Sequence, residues 1–257
     1  MEVISFDISG KIAHFRKYHT NNTALSFSIP PRTTVMGMLA AICGLPKDSY
    51  YELFSSRNID IGIALHTRTK KTIHRLNLLS IKGPNDFRGG KGRIQTPFEI
   101  VTGEDIKKSA ITYRIFLRPL KIPDKDYMRL KDLLQTKGNN FALTLGAASF
   151  NASLSNYQEY EAVERNALPY FEYFDSAINS EDVEEIELLS DGIGRFSIVE
   201  EELMPADFVA NYNRELLKMN RMLFSVSASQ LKARLKESAT VIELMKEGKR
   251  KLIQFMK

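Results

Sequence analysis

The chain has 257 residues, 43% hydrophobic and 26% charged, with a formal net charge of +5, the balance of a water-soluble globular protein of one large or two small domains. No apolar run reaches the length of a membrane helix, and Glu2 and Asp7 around the first short strand exclude a signal peptide. The single cysteine, Cys43, rules out an internal disulfide and points to a reducing, cytoplasmic setting, which leaves the Asn-x-Ser/Thr matches at Asn21 and Asn151 without weight.

In chain order, Val3 to Ile8 reads as an apolar strand. It runs into a loop holding Lys11, His14, Arg16, Lys17, Tyr18 and His19. Val35, Met38, Leu39 and Ile42 then recur at helical spacing, so Thr34 to Cys43 is expected to be a helix, with Thr33 or Thr34 as N-cap and Gly44 beyond its end. Asn58 to Arg68 alternates, with Ile59, Ile61, Ile63 and Leu65 on one face, as a half-buried strand does. Thr72 to Ser80 reads as a second strand. Gly83 to Gly92 holds four glycines and a proline among cations and reads as a mobile loop or hairpin tip.

Ala110 to Arg118 alternates again, and Pro123-Asp124 opens a helix striped by Tyr127, Leu130, Leu133 and Leu134, with Gly138 after its end. Phe141 to Leu145 reads as a short strand. Strand, helix, strand, strand, helix, strand is the ferredoxin-like order, here with an insertion between the third and fourth elements. Beyond Asn151 the pattern weakens. Tyr157 to Arg165, Gly194 to Val199 and Leu223 to Ala228 read as strands, Ser180 to Leu189 as helix or strand, and Val241 to Leu244 with Leu252 to Met256 as a terminal hairpin.

Charge is distributed in blocks. His66 to Arg93 carries eight Lys/Arg against Asp86 alone; Gln158 to Asp207 carries fifteen acids against Arg165 and Arg195; Arg214 to the end carries eleven bases and four acids. Blocks of opposite sign suggest separate surfaces for separate partners.

Nucleotide and metal motifs fail. Gly90-Lys91 is followed by Gly92, with Asn85 where a P-loop needs glycine. Gly192-Ile193-Gly194 lacks a third glycine, and four histidines with one cysteine offer no zinc spacing. No cofactor is expected. Pro30-Pro31-Arg32-Thr33-Thr34 differs: a helix entrance offers free N–H groups and a positive dipole end to an anion. Arg32 can fork onto a phosphate, and Thr33 and Thr34 add hydroxyl donors. His14, Lys17, Tyr18 and His19 are also the ingredients of a metal-independent ribonuclease, in which His or Lys deprotonates a 2′-hydroxyl and a cation stabilises the transition state. The plainer reading is that they contact RNA or solvent. Lys82, Arg88, Lys91 and Arg93, with Phe87 among them, make a cationic finger able to lie along a single strand and stack on a base.

Gly10-Lys-Ile-Ala-His-Phe-Arg16, then Ile29-Pro-Pro-Arg-Thr-Thr-Val-Met-Gly-Met-Leu-Ala-Ala-Ile-Cys-Gly44, resembles the fifth family of CRISPR-associated (Cas) proteins, a RAMP-superfamily branch of type I Cascade complexes. Tyr113-Arg-Ile-Phe-Leu117 and Leu143-Thr-Leu-Gly-Ala-Ala-Ser149 also resemble family positions. The resemblance implies an α+β fold: a RAMP-type ferredoxin-like domain (1–150) with an inserted thumb hairpin (about 82–108), and a β-rich C-terminal subdomain (151–257). It implies a non-catalytic subunit gripping the 5′ handle of CRISPR RNA through Gly10 to Lys17 and Arg32 to Thr34, with Lys82 to Arg93 as the thumb. The thumb would meet the adjacent backbone subunit, and the large subunit would pack at the acidic block or the basic C-terminus. Target DNA would be met through the complex by base pairing. The pattern is closest to type I-B members; in another subtype branch the family cuts repeat RNA, and that is the alternative for this chain.

Overall fold

The computed structural model describes residues 1–20, 23–190, 196–210 and 214–256. Asn21, the Gly192-Ile193-Gly194 run, Arg195 and the start of the strand expected at Gly194 lie outside them. The first strand, β1, is Glu2–Gly10. Helix α1 is Arg32–Cys43, with Pro31 at the N-cap position and no side-chain cap. It therefore starts two residues before Thr34, and neither Thr33 nor Thr34 is the cap: Pro31, with its fixed φ, opens the helix, and its carbonyl accepts the first bonds from Thr34 and Val35. The far end follows expectation. Gly44 adopts φ +70°, and its N–H and that of Leu45 close onto Ala41 and Ala40, a left-handed C-terminal cap that an L side chain resists.

Then come β2 (Ile59–Leu65), β3 (Thr69–Leu79), β4 (Arg93–Gly103), β5 (Ile111–Pro119) and α2 (Asp124–Gln135). Next are β6 (Ala152–Asn166), β7 (Val199–Phe208), β8 (Leu216–Ser225), β9 (Thr240–Lys246) and β10 (Lys249–Ile253). Phe141 to Leu145 is not a strand. Its alternating apolar residues form a turn, bridged once between Thr144 and Asn151, and the place beside β1 is taken by β6, fifteen residues long.

The main sheet is antiparallel, in the order β10-β9-β6-β1-β5-β2. It curls until the Met256 N–H reaches the Ile61 carbonyl at 2.8 Å. Register decides the two faces. Ile4, Phe6 and Ile8 lie opposite Leu117, Ile115 and Tyr113, and this face packs with Val35, Met36, Leu39, Leu130 and Leu134 of the two helices. Val3, Phe116, Tyr160, Leu244 and Ile253 fill the concave face. Because β6, β9 and β10 belong to this sheet, the division expected at 150/151 falls within one layer.

Two smaller three-stranded sheets lie between β6 and β9 in sequence. One includes β7 and β8, and contributes Met204, Met222 and Phe224 to the core. The ambiguous segment from Ser180 resolves into a 3-10 turn and the strand Val183–Glu187. Among the described residues, no helix is long and apolar enough to cross a membrane.

Candidate nucleic-acid interface

β3 and β4 form a hairpin inserted between β2 and β5. Eleven residues per strand pair in unbroken register from Thr69–Gly103 to Leu79–Arg93, an arm roughly 35 Å long at about 3.3 Å per residue. Its base is tied to the first loop. Ile12 and Ala13 pair with Thr102 and Val101, and Ala24 exchanges bonds with Pro97 and Glu99 at 2.9 Å each. The loop and the arm, separate in sequence, are thus one body at the base, while the arm's tip stands free.

The tip is built rather than loose. A 3-10 turn, Pro84–Arg88, is organised by Asp86. Its carboxylate accepts the backbone N–H of Lys82 at 2.7 Å and of Gly83 at 2.9 Å, and Lys91 Nζ stands 3.1 Å away. These donors hold the Asp86 pKa below the usual carboxylate value, the Lys82 N–H most strongly. With Asp86 spent on the turn, Lys82, Arg88 and Arg93 remain exposed and outside any ion pair among the described residues, and Phe87 is 69% exposed.

Along the strands the two faces differ. Leu76, Leu78 and Ile94 share one face, exposed by 38%, 44% and 56%. Arg75, Asn77, Arg93 and Gln95 lie on the other, with Ile73 and Leu79. A two-stranded ribbon with both faces in solvent has no partner for its apolar side.

Three residues expected to grip phosphate are committed inward instead. Arg32 is 1% exposed. Its Nη1 reaches Asp207 Oδ1 at 2.5 Å and the Ala206 carbonyl at 3.2 Å; its Nη2 donates to the Phe54 and Ile59 carbonyls at 3.0 and 2.7 Å. A cation in the first turn of a helix opposes the dipole, and burial pulls its pKa down while Asp207 opposes the shift. Those four acceptors keep it charged and leave no fork for RNA. Lys17 Nζ sits 2.8 Å from Glu202 and over the Phe27 ring.

His14 is 6% exposed, stacks on Phe98 with centroids 3.9 Å apart and donates from Nδ1 to the Glu99 carbonyl at 2.7 Å. Burial lowers its pKa, with the Glu99 carbonyl opposing, and its Nε2 has no hydrogen-bond partner among the described residues. The reason for the first two corrections is β7. Its inward positions include three acids: Glu200, Glu202 and Asp207 take up Lys71, Lys17 and Arg32. Burial works against the Lys71 ammonium, yet Glu202 and Glu200 outweigh it and raise its pKa. Part of the acidic block is therefore interior, not a partner surface.

The remaining predicted residues differ in access: Thr33 is buried and Thr34 half-buried. Lys11, Arg16, Tyr18 and His19 are exposed; Tyr18 and His19 meet edge to face at 5.0 Å. Thr33 and Thr34 line a cavity of about 280 Å³ with Gly37, Tyr50, Thr144 and Gly146. Gly146, at φ +93°, is pressed so closely on the His14 carbonyl that a Cβ would stand 1.9 Å from its oxygen. Only glycine lets this turn close on the loop. The four residues of the ribonuclease alternative are not gathered around one point: His14 and Lys17 turn into the body, and Tyr18 and His19 turn out.

Neither a family model nor a curated protein matches the chain. Among solved structures, a CRISPR protein from Archaeoglobus fulgidus superposes with a TM-score of 0.55 at 15% identity, over 98% of each chain. A chain of a CRISPR RNA-guided surveillance complex gives 0.47 at 10% identity, over 90% of this chain and 91% of that one. A chain from the type III-B Cmr-beta complex, bound to cognate target RNA and AMPPnP, gives 0.45 at 14%, over 90% and 86%. The first of these shows a shared fold; the other two are too distant to carry weight.

Proposed function

We propose that this chain is the subunit of a type I Cascade complex that binds the 5′ handle of CRISPR RNA, a non-catalytic member of the fifth Cas family. The fold shared with a CRISPR protein supports the setting. The order β6-β1-β5-β2, with α1 and α2 on one face, supports a ferredoxin-like core of the RAMP type. The observation that carries the reading is the arm: a long hairpin, locked at its base to the first loop, with an ordered tip where the side chains of Lys82, Arg88 and Arg93 are exposed and in no ion pair among the described residues, beside an exposed Phe87.

In this reading the handle runs along the exposed Lys11 and Arg16, past Thr33 and Thr34, to the base of the arm. The tip cations hold backbone phosphates, and Phe87 stacks on or wedges beside a base. The apolar stripe of Leu76, Leu78 and Ile94 meets the neighbouring backbone subunit. Arg32, His14 and Lys17 position the loop and helix from behind and are not contacts.

Incubating the purified chain with CRISPR repeat RNA in EDTA tests this. The expected result is intact RNA and handle-dependent binding that falls when Lys82, Arg88 and Arg93 are replaced by Ala. Site-specific cleavage abolished by His19→Ala or Tyr18→Phe would overturn the non-catalytic reading.

A further inference from the structure

The concave face of the curled sheet changes character along its strands. Towards Ile253 and Phe255 it is apolar. At the opposite end the inward register positions are polar. Asp7 and Arg114 lie opposite each other on β1 and β5, followed by Gln158 and Asn156 on β6. On the terminal hairpin, Lys246 is opposite Lys249, and Lys251 is opposite the inward Leu244. Inward positions of a closing sheet are ordinarily filled by apolar side chains that pack against each other. Here Lys246, Lys249 and Lys251 line, with Arg114, Asn156 and Gln158, a cavity of about 460 Å³ at the mouth of the curl.

The mouth is constructed. Arg114 is 6% exposed and forks onto Asp7, Nε to Oδ1 at 2.7 Å and Nη2 to Oδ2 at 2.9 Å. The same Oδ2 accepts from Asn156 Nδ2 at 2.9 Å. Asn156 reaches it from a bulge in β6 opposite the Ser5–Asp7 step, in the left-handed conformation at φ +53°. Bulges re-aim side chains in this way. Both oxygens of Asp7 are thereby engaged, by Arg114 and Asn156.

No such partner serves the lysines: none of the three enters an ion pair among the described residues, and Lys246 only overhangs the Tyr160 ring at 5.9 Å. Glu247, the one acid lining the cavity, is exposed on the hairpin turn. Burial and then Arg114 push the Lys251 pKa down, against Asp175 and Asp7, with Lys249 adding to the repulsion; His66, near the same groups, is lowered by burial and by Arg114 and Lys251. Three lysines and an arginine line this half-buried site against Glu247 alone, and the acid on its strands, Asp7, is already paired with Arg114, so the mouth carries an excess of positive charge.

We propose that this mouth is a binding site for a phosphate group, held by Lys249, Lys251 and Lys246 with Arg114 at its floor and the amides of Asn156 and Gln158 as further donors. Donors converging from four strands suit a tetrahedral oxyanion better than a planar carboxylate. A cavity of this size admits a pyrophosphate or a nucleotide, and its floor is closed by Tyr160, 5% exposed. The source is either a free phosphate compound or the phosphorylated end of a nucleic acid. The site is remote in sequence from the arm and does not depend on the handle-binding proposal.

Calorimetric titration of the full chain at low ionic strength, with inorganic pyrophosphate as probe, tests the proposal. Saturable binding is expected, weakened by about tenfold or more in Lys249→Ala/Lys251→Ala and unchanged in Lys125→Ala/Arg129→Ala on the exposed face of α2. Because Lys249 is exposed and Lys251 half-buried, the double variant should keep the wild-type melting temperature in the absence of probe, which separates lost binding from lost folding. Competition separates the sources. Displacement of pyrophosphate by a short 5′-phosphorylated RNA but not by its 5′-hydroxyl counterpart supports a nucleic-acid end; displacement by a mononucleotide alone supports a free compound. No binding of pyrophosphate, or binding that the double lysine variant leaves intact, would overturn the site.

Discussion

Lys17, Arg32 and Lys71 on one side, and Lys82, Arg88 and Arg93 on the other, all come from cation-rich sequence and meet opposite fates. The first three face β7, where Glu200, Glu202 and Asp207 stand at inward positions. The second three cluster around a tip whose acid, Asp86, is consumed by the turn and by Lys91. A cation's availability to an outside anion is decided by whether an acid lands opposite it in the fold, not by the density of cations around it in sequence. Paired cations lend stability and position; unpaired ones lend affinity and salt dependence.

The largest expected effect falls on the paired side. Arg32→Ala strands Asp207 without its partner in the interior and should cost about 3–5 kcal/mol of folding stability, measured as a shift in the urea midpoint. A cost below about 1 kcal/mol, the range of exposed ion pairs, would mean that this pair is not the buried one described. On the unpaired side, Phe87→Ala should leave the urea midpoint in place. If the ring stacks on a base, it should weaken RNA binding by about 1–3 kcal/mol, read from a filter-binding or fluorescence titration. Equal affinity for the variant would remove Phe87 from the interface.

The smallest effect concerns the order of the tip. The folded pKa of Asp86 lies below its ordinary value, so its contribution is fully present above that ordinary value and is lost as pH falls through the depressed one. Amide exchange at Lys82 and Gly83 should stay protected through neutral and mildly acidic pH and lose protection only under strongly acidic conditions. Asp86→Asn should show the loss at neutral pH. Protection in that variant equal to wild type would mean that the carboxylate does not organise the turn.

Much of the frame was legible before the structure. The apolar period of α1 with Gly44 behind it, the alternation in β2 and β5, the stripe of α2 and the glycine-rich tip are all local signals, and each became the expected kind of element. What stayed hidden is non-local. β7 could not be recognised as a core strand because its inward residues include Glu200, Glu202 and Asp207 and it contains Pro205, so its pattern is that of a solvated segment. The pairs it forms join residues far apart in sequence, Lys17 with Glu202 and Arg32 with Asp207. No periodicity signals such a pairing. Phe141 to Leu145 misled in the opposite sense, being locally strand-like but displaced from the sheet by the longer β6. The inward lysines of β9 and β10 are visible in sequence only as a basic C-terminus.

The central claim, that unpaired tip cations and not the paired cations behind the first loop hold the RNA backbone, is tested most directly by the salt dependence of RNA binding. Wild type should show log K falling linearly with log salt. Lys82→Ala/Arg88→Ala/Arg93→Ala should flatten that slope by about 2, at about 0.7 per lost single-strand phosphate contact, while Lys17→Ala should leave it unchanged. A slope that is the same in wild type and the triple variant, or one that flattens only in Lys17→Ala, would contradict the account.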